Sequence, residues 1–142
     1  MTDRLYEARY GRLEDLALLT GKGRYVDDIH LPGMLEVAFV RSPHGHALFH
    51  SINAAAALAL PGVHAVYTHV DVAQTLTSDH IPPDQVVDSF PTTTWPYILP
   101  KDEVCFVGEA VAVVVADTRY IAEDAATLVE VDYESLPVVS NC

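Results

Sequence analysis

The sequence predicts an α+β domain in which strands outnumber helices. Three observations carry that expectation. Short runs rich in β-branched and aromatic residues are set off by Pro-Gly or Ser-Pro pairs, Ala110 to Ala116 is a near-continuous apolar run, and only brief stretches show helical spacing. With 142 residues, 50% of them apolar, the chain has the usual size of one domain and should bury roughly two-thirds of its unfolded surface.

The elements follow in order. Residues 1–25 interleave charge with Leu13, Leu16, Leu18 and Leu19, so they lack the continuous apolar stretch of a secretory signal. Two glycines in Thr20-Gly21-Lys22-Gly23-Arg24 favour a turn. The Pro32-Gly33 turn introduces a first strand within Met34–Ser42. After Ser42-Pro43 a second extended run covers Ala47–Ile52, and Asn53 is placed to cap a short helix from Ala54 to Leu60 that Pro61-Gly62 stops. Val63–Thr68 reads as a third strand, with Asp71 capping one further helical turn.

Residues 78–103 hold prolines at 82, 83, 91, 96 and 100 with Phe90, Trp95 and Tyr97 among them, and no sustained period, which predicts a long loop. Loops of that length tend to be functional or to lie against something. The aromatic residues are therefore expected to cover a partner or another domain, and Trp95→Ala to disturb assembly more than folding. Ala110–Ala116 predicts a strand covered on both faces. Asp117 or Thr118 then caps a helix whose Ile121, Ala125 and Leu128 fall on one side, and Val129–Glu134 alternates as a half-buried strand before Leu136-Pro137.

Composition excludes several functions. Eight basic residues stand against 20 acidic ones, for a formal net charge of -12, so nucleic acid and anionic membrane surfaces are disfavoured. No apolar run approaches the roughly 20 residues that span a bilayer, and cytoplasm is the expected compartment. Cys105 and Cys142 form no CxxC pair, so a zinc or iron–sulfur site is not indicated, and Cys105 is expected as a small buried residue.

The densest titratable cluster is His44, His46 and His50, whose even spacing places all three on one face of a regular strand. A metal is conceivable there. Such a site needs further ligands, however, and Gly45 argues against regular pleating, so the simpler reading is a turn after Pro43 followed by a partly exposed strand with surface histidines. Residues 20–24 lack the second half of a phosphate-binding loop, and Val107-Gly108-Glu109 lacks dinucleotide glycine spacing and reads as a turn between strands. The carboxylates are scattered, with no acid–base pair evident. The residues thus assign no catalytic, cofactor-binding or metal-ligating position.

Three blocks taken together resemble one family: Arg12–Asp15 with Leu19–Asp28; Leu31–Leu35 continuing through Phe39–His44; and Val107–Glu109 continuing through Glu134–Pro137. Their order and spacing resemble the aldehyde oxidase and xanthine dehydrogenase a/b hammerhead domain, which opens the large subunits of molybdenum hydroxylases, including carbon monoxide dehydrogenases. Ala59–Val63 and Ala65–Thr68 also fit; the departure is Gly108-Glu109-Ala110, where the family commonly reads Gly-Glu-Pro. The resemblance implies an α/β-hammerhead over residues 1–142, with a mixed sheet and two or three short helices.

It also implies a scaffold and assembly role, inactive alone, in an enzyme that hydroxylates an aldehyde, purine or other N-heterocycle. The parent complex would use molybdopterin or molybdopterin cytosine dinucleotide, two 2Fe–2S clusters and FAD. Expected partners are downstream molybdopterin-binding domains, an iron–sulfur small subunit and an FAD medium subunit. The start at Met1 is expected to be that of a separate large subunit, and the end at Ser140–Cys142 an inter-domain edge. Two other readings are a stand-alone binding or assembly protein of the same fold, and a histidine metal-binding protein.

Overall fold

The computed structural model describes residues 12, 14–81 and 95–139. Within the expected loop, residues 82–94, Phe90 included, lie outside the described residues, as does Cys142. The chain divides into two compact units, Met1–Met34 and Leu35–Cys142.

In the first unit a five-residue helix, α1 (Asp15–Leu19), ends as the glycine pair predicts. Gly21 adopts φ +67°, and the Lys22 and Gly21 amides donate to the Ala17 and Leu18 carbonyls at 2.7 and 3.2 Å. This pattern satisfies the orphan carbonyls of a helix end, and only glycine enters that conformation without steric cost. Residues 20–24 therefore terminate a helix. A 3-10 turn follows at Val26–Asp28, with the Tyr25 amide donating to Asp28 Oδ2 at 2.9 Å.

Among its described residues the second unit contains six strands: β1 (Glu36–Arg41), β2 (Ala47–Asn53), β3 (Val63–Tyr67), β4 (Glu103–Val104), β5 (Ala110–Ala116) and β6 (Glu130–Ser135). Three described helices accompany them: α2 (Ala55–Leu58), α3 (His69–Thr75) and α4 (Arg119–Thr127). The α+β class holds, but the strands form two three-stranded sheets, β1-β5-β3 and β4-β2-β6, in place of one mixed sheet. Every pairing among the described residues is antiparallel. The division follows from pairing between distant segments: β5 returns between β1 and β3, whereas β6 returns to β2, and hydrophobic periodicity does not specify which strands pair.

One apolar cluster joins the sheets: Val40, Val111, Ala112 and Val114 of the first pack with Ala47, Phe49 and Val104 of the second, alongside Ala57 and Ala125. Helix α4 presents Ala122 and Ala125, both fully buried, with Ile121 partly buried beside them; of the expected Ile121, Ala125 and Leu128 face only Leu128 departs, being exposed. Alanines let a helix backbone approach a sheet closely, which is why the buried stripe is rotated toward them. Thr118 caps α4 as expected, accepting from the Ile121 amide at 3.3 Å.

Other local signals shift by a residue or a role. Asn53 Oδ1 accepts from the Ala55 amide at 3.1 Å, just ahead of α2. Asp71 is the third residue of α3 and not its cap; its carboxylate accepts from the Thr68 amide at 2.8 Å and the Thr68 hydroxyl at 2.9 Å, a reciprocal arrangement at the helix start. The expected loop runs into β4 at its last residue, Glu103, and an antiparallel bridge joins His80 to Tyr97 within it.

Candidate functional site

The turn from β1 into β2 is built on Ser42, which is buried. Its amide donates to the Glu109 carbonyl and its carbonyl accepts from the Gly108 amide, both at 2.8 Å, while its hydroxyl accepts from the His44 amide at 3.0 Å. This locks residues 42–46 against the Val107–Glu109 turn, where Gly108 takes φ +90°. His44, Gly45 and His46 meet β6 or the chain that leaves it. His44 tilts over Tyr133 with ring centroids 4.9 Å apart and meets Ser135 Oγ through Nδ1 at 3.2 Å. A Cβ at Gly45 would sit 3.4 Å from Val138 Cγ1. His46 places Nδ1 2.9 Å from the Pro137 carbonyl and Nε2 2.6 Å from Glu103 Oε1, and its own carbonyl accepts from the Leu136 amide at 3.0 Å.

The three histidines therefore do not share one face. His44 and His46 precede the strand, and His50 falls at a register break between Phe49 and Ser51, where it pairs with Glu134 Oε2 at 3.0 Å. Each has its own partner. Among the described residues no group of three or more His, Cys, Asp or Glu is placed to hold a metal ion.

Electrostatics follow from these contacts. The Pro137 carbonyl first, then Glu103, raises the His46 pKa above its ordinary 6.5. Burial raises that of Tyr133, and the Ser42 hydroxyl offsets this in part. The Tyr133 hydroxyl is sealed from solvent without a well-formed hydrogen bond among the described residues, consistent with Ser42 being committed to His44. Cys105 is exposed, contrary to expectation, because it follows the inward Val104 and leaves the sheet; its amide donates to Glu109 Oε2 at 2.6 Å. Partial burial of the thiol, with Glu109 and Glu103 nearby, holds its pKa up.

A second node gathers at the loop base. Asp79 Oδ1 lies 2.7 Å from His80 Nδ1 and its Oδ2 3.8 Å from His69 Nε2, while Tyr97 packs against both imidazoles. The His80 contact lowers the Asp79 pKa. Trp95 is half-buried with its Nε1 sealed and unpartnered among the described residues, so this ring is partly covered by its own chain. An open cleft of about 340 Å³ lies between β2, the start of α3 and residues 100–102, but its His50, Thr68 and His69 are each engaged within the chain.

The first sheet has one apolar face that is incompletely covered. The register aligns Val37, Val115 and Ala65 in one row and Phe39, Val113 and Tyr67 in the next. Val37, Phe39 and Tyr67 are 48, 49 and 47% exposed, and Val113 and Val115 are half-buried, so β5 is closed on one face only. The Arg41 guanidinium sits 5.2 Å from the Phe39 ring centroid and donates to the Gly108 carbonyl at 2.8 Å. Sequence periodicity placed an apolar strand here but not its neighbours, and no local signal linked His46 to Glu103 or Pro137.

Known proteins provide the remaining context. Residues 20–137 match the family model for the aldehyde oxidase and xanthine dehydrogenase a/b hammerhead domain. The chain is 47% identical over 128 residues to the carbon monoxide dehydrogenase large chain of Afipia carboxidovorans, covering 90% of itself and 15% of that protein. It is 44% identical to the nicotine 6-hydroxylase large subunit of Paenarthrobacter nicotinovorans, covering 92% and 16%. Among solved structures, quinoline 2-oxidoreductase from Pseudomonas putida 86 superposes with a TM-score of 0.83 at 50% identity, covering 92% of this chain and 16% of that one. The chain thus spans about 15% of the length of the curated relatives it matches. With a family match across residues 20–137 and identities of this order, the chain belongs to the aldehyde oxidase and xanthine dehydrogenase a/b hammerhead domain family.

Proposed function

We propose that this chain is the scaffold and assembly domain, spanning residues 1–142, of a cytoplasmic molybdopterin-dependent hydroxylase or dehydrogenase acting on an aldehyde, purine or other N-heterocycle, and is not catalytic alone. The carrying observation is that 90% of the chain matches a large chain of which it covers only 15%. The site chemistry supports the same reading. Molybdopterin carries phosphate and demands several converging N–H or cationic donors. Among the described residues the buried polar side chain is Ser42, whose hydroxyl is occupied by His44, so these residues do not fit that cofactor. None of the described helices is long and apolar enough to cross a membrane.

The proposed partners are molybdopterin-binding domains of the same large subunit, an iron–sulfur small subunit and an FAD subunit. The partly open face of Val37, Phe39, Tyr67, Val113 and Val115 is suited to such packing, since apolar patches of this kind mark interaction surfaces. The test is turnover with an artificial electron acceptor, by the chain alone and by the chain joined to the remaining large-subunit domains with both partner subunits. Activity is expected only in the second case. Hydroxylation of an aldehyde or purine by the chain alone would overturn the assignment.

A further inference from the structure

We propose that the Ser42–His46 turn is a proton-operated clamp: with both ring nitrogens of His46 protonated it ties β4 to the chain leaving β6, and loss of either proton releases one of the two. The argument rests on donor and acceptor inventory. The Pro137 carbonyl, 2.9 Å from Nδ1, can only accept, and so can the ionised Glu103 carboxylate, 2.6 Å from Nε2. A neutral imidazole has one N–H and cannot serve both. The two contacts together therefore specify an imidazolium.

The clamp spans segments far apart in sequence, 57 residues to Glu103 and 91 to Pro137. Its neighbours bind the same exit chain, through His44 to Ser135, Gly45 beside Val138, and the His46 carbonyl to the Leu136 amide. The titratable groups around it come from every adjoining element. Glu103 from β4 supplies the negative charge, and His44 lies in the turn itself against Tyr133. Tyr133 from β6 and Cys105 after β4 have pKa values held above ordinary, so both stay neutral through the range in which an imidazole titrates; Glu109 is engaged by the Cys105 amide. When His46 deprotonates, the carbonyl contact or the carboxylate contact must fail, and the path of residues 136–138 is freed from β4.

Nitrogen-15 NMR of the labelled chain tests this directly. Below its midpoint His46 should show both ring nitrogens protonated, and that midpoint should lie above 6.5. Glu103→Gln should lower it, because the carboxylate contact that favours the charged ring is lost. Exchange of the Leu136 amide, corrected for intrinsic pH dependence, should rise several-fold through the His46 midpoint while that of Val131 within β6 does not. A His46 midpoint at or below 6.5, Leu136 exchange that ignores the His46 titration, or an unchanged midpoint in Glu103→Gln would each overturn the clamp. The wild-type titration decides the matter even if a variant fails to fold.

Discussion

Two glycines with the same backbone angle make a controlled experiment on what holds this fold. Gly62 has φ +89° and Gly108 φ +90°, but a Cβ at Gly62 would meet Ile121 Cδ1 at 2.9 Å and Asp117 Oδ2 at 3.1 Å, whereas at Gly108 nothing lies within 4 Å. Alanine in a left-handed conformation costs about 1–2 kcal/mol. The stiffer unfolded chain returns about 0.4–1 kcal/mol of that. Gly108→Ala should therefore lose about 1 kcal/mol.

Gly62→Ala adds overpacking, which costs about 1–3 kcal/mol in general. The lower part of that range applies, because Cδ1 is the far end of a rotatable side chain, so a total of about 2–3 kcal/mol is expected. Asp117 has less room to give, since its Oδ1 holds His64 Nε2 at 2.7 Å and its amide donates to the Gly62 carbonyl at 2.9 Å. For a chain near 150 residues these losses correspond to drops in Tm of roughly 3 °C for Gly108→Ala and roughly 8 °C for Gly62→Ala. Urea and thermal unfolding followed by circular dichroism would measure both. Adding Ile121→Val to Gly62→Ala should recover about 0.5–1 kcal/mol as a coupling term. Equal losses at the two glycines, or a larger one at Gly108, would refute the packing argument.

Phe39→Ser on the partly open sheet face should lower the stability of the isolated chain by less than about 1 kcal/mol, yet reduce recovery of the assembled complex on size-exclusion chromatography. A loss of stability comparable to that of the buried Val114→Ala, about 2 kcal/mol, would show that the face is already closed by this chain. Tyr133→Phe should be neutral or stabilising by up to about 1 kcal/mol at pH 7, because it removes a buried hydroxyl lacking a well-formed hydrogen bond among the described residues. The folded pKa of Tyr133 is raised, so its contribution is present below the unfolded value of 10.0 and is lost as pH rises through the folded value; the phenylalanine variant should lack that alkaline loss. Denaturant titrations at pH 7 and across the alkaline limb would check both, and a loss above 1 kcal/mol at pH 7 would contradict the unpartnered hydroxyl.

Sequence alone determined what neighbouring residues decide among themselves. Gly21 ends a helix because only glycine enters φ +67° without steric cost, Thr118 caps α4 through its own hydroxyl, and Ala110–Ala116 is extended because a branched apolar run packs best on a pleated surface. The joined motifs also marked the family, a matter of order and spacing along the chain. Tertiary structure decided everything that depends on which distant segments meet. That includes the split into two antiparallel sheets, the incompletely covered face behind β5, the exposure of Cys105 and the dispersal of His44, His46 and His50 to separate partners. The His46 contacts are the sharpest case. Its partners lie 57 and 91 residues away, and hydrogen-bonding capacity carries no address, so the ring's double commitment exists only once β2 has paired with both β4 and β6.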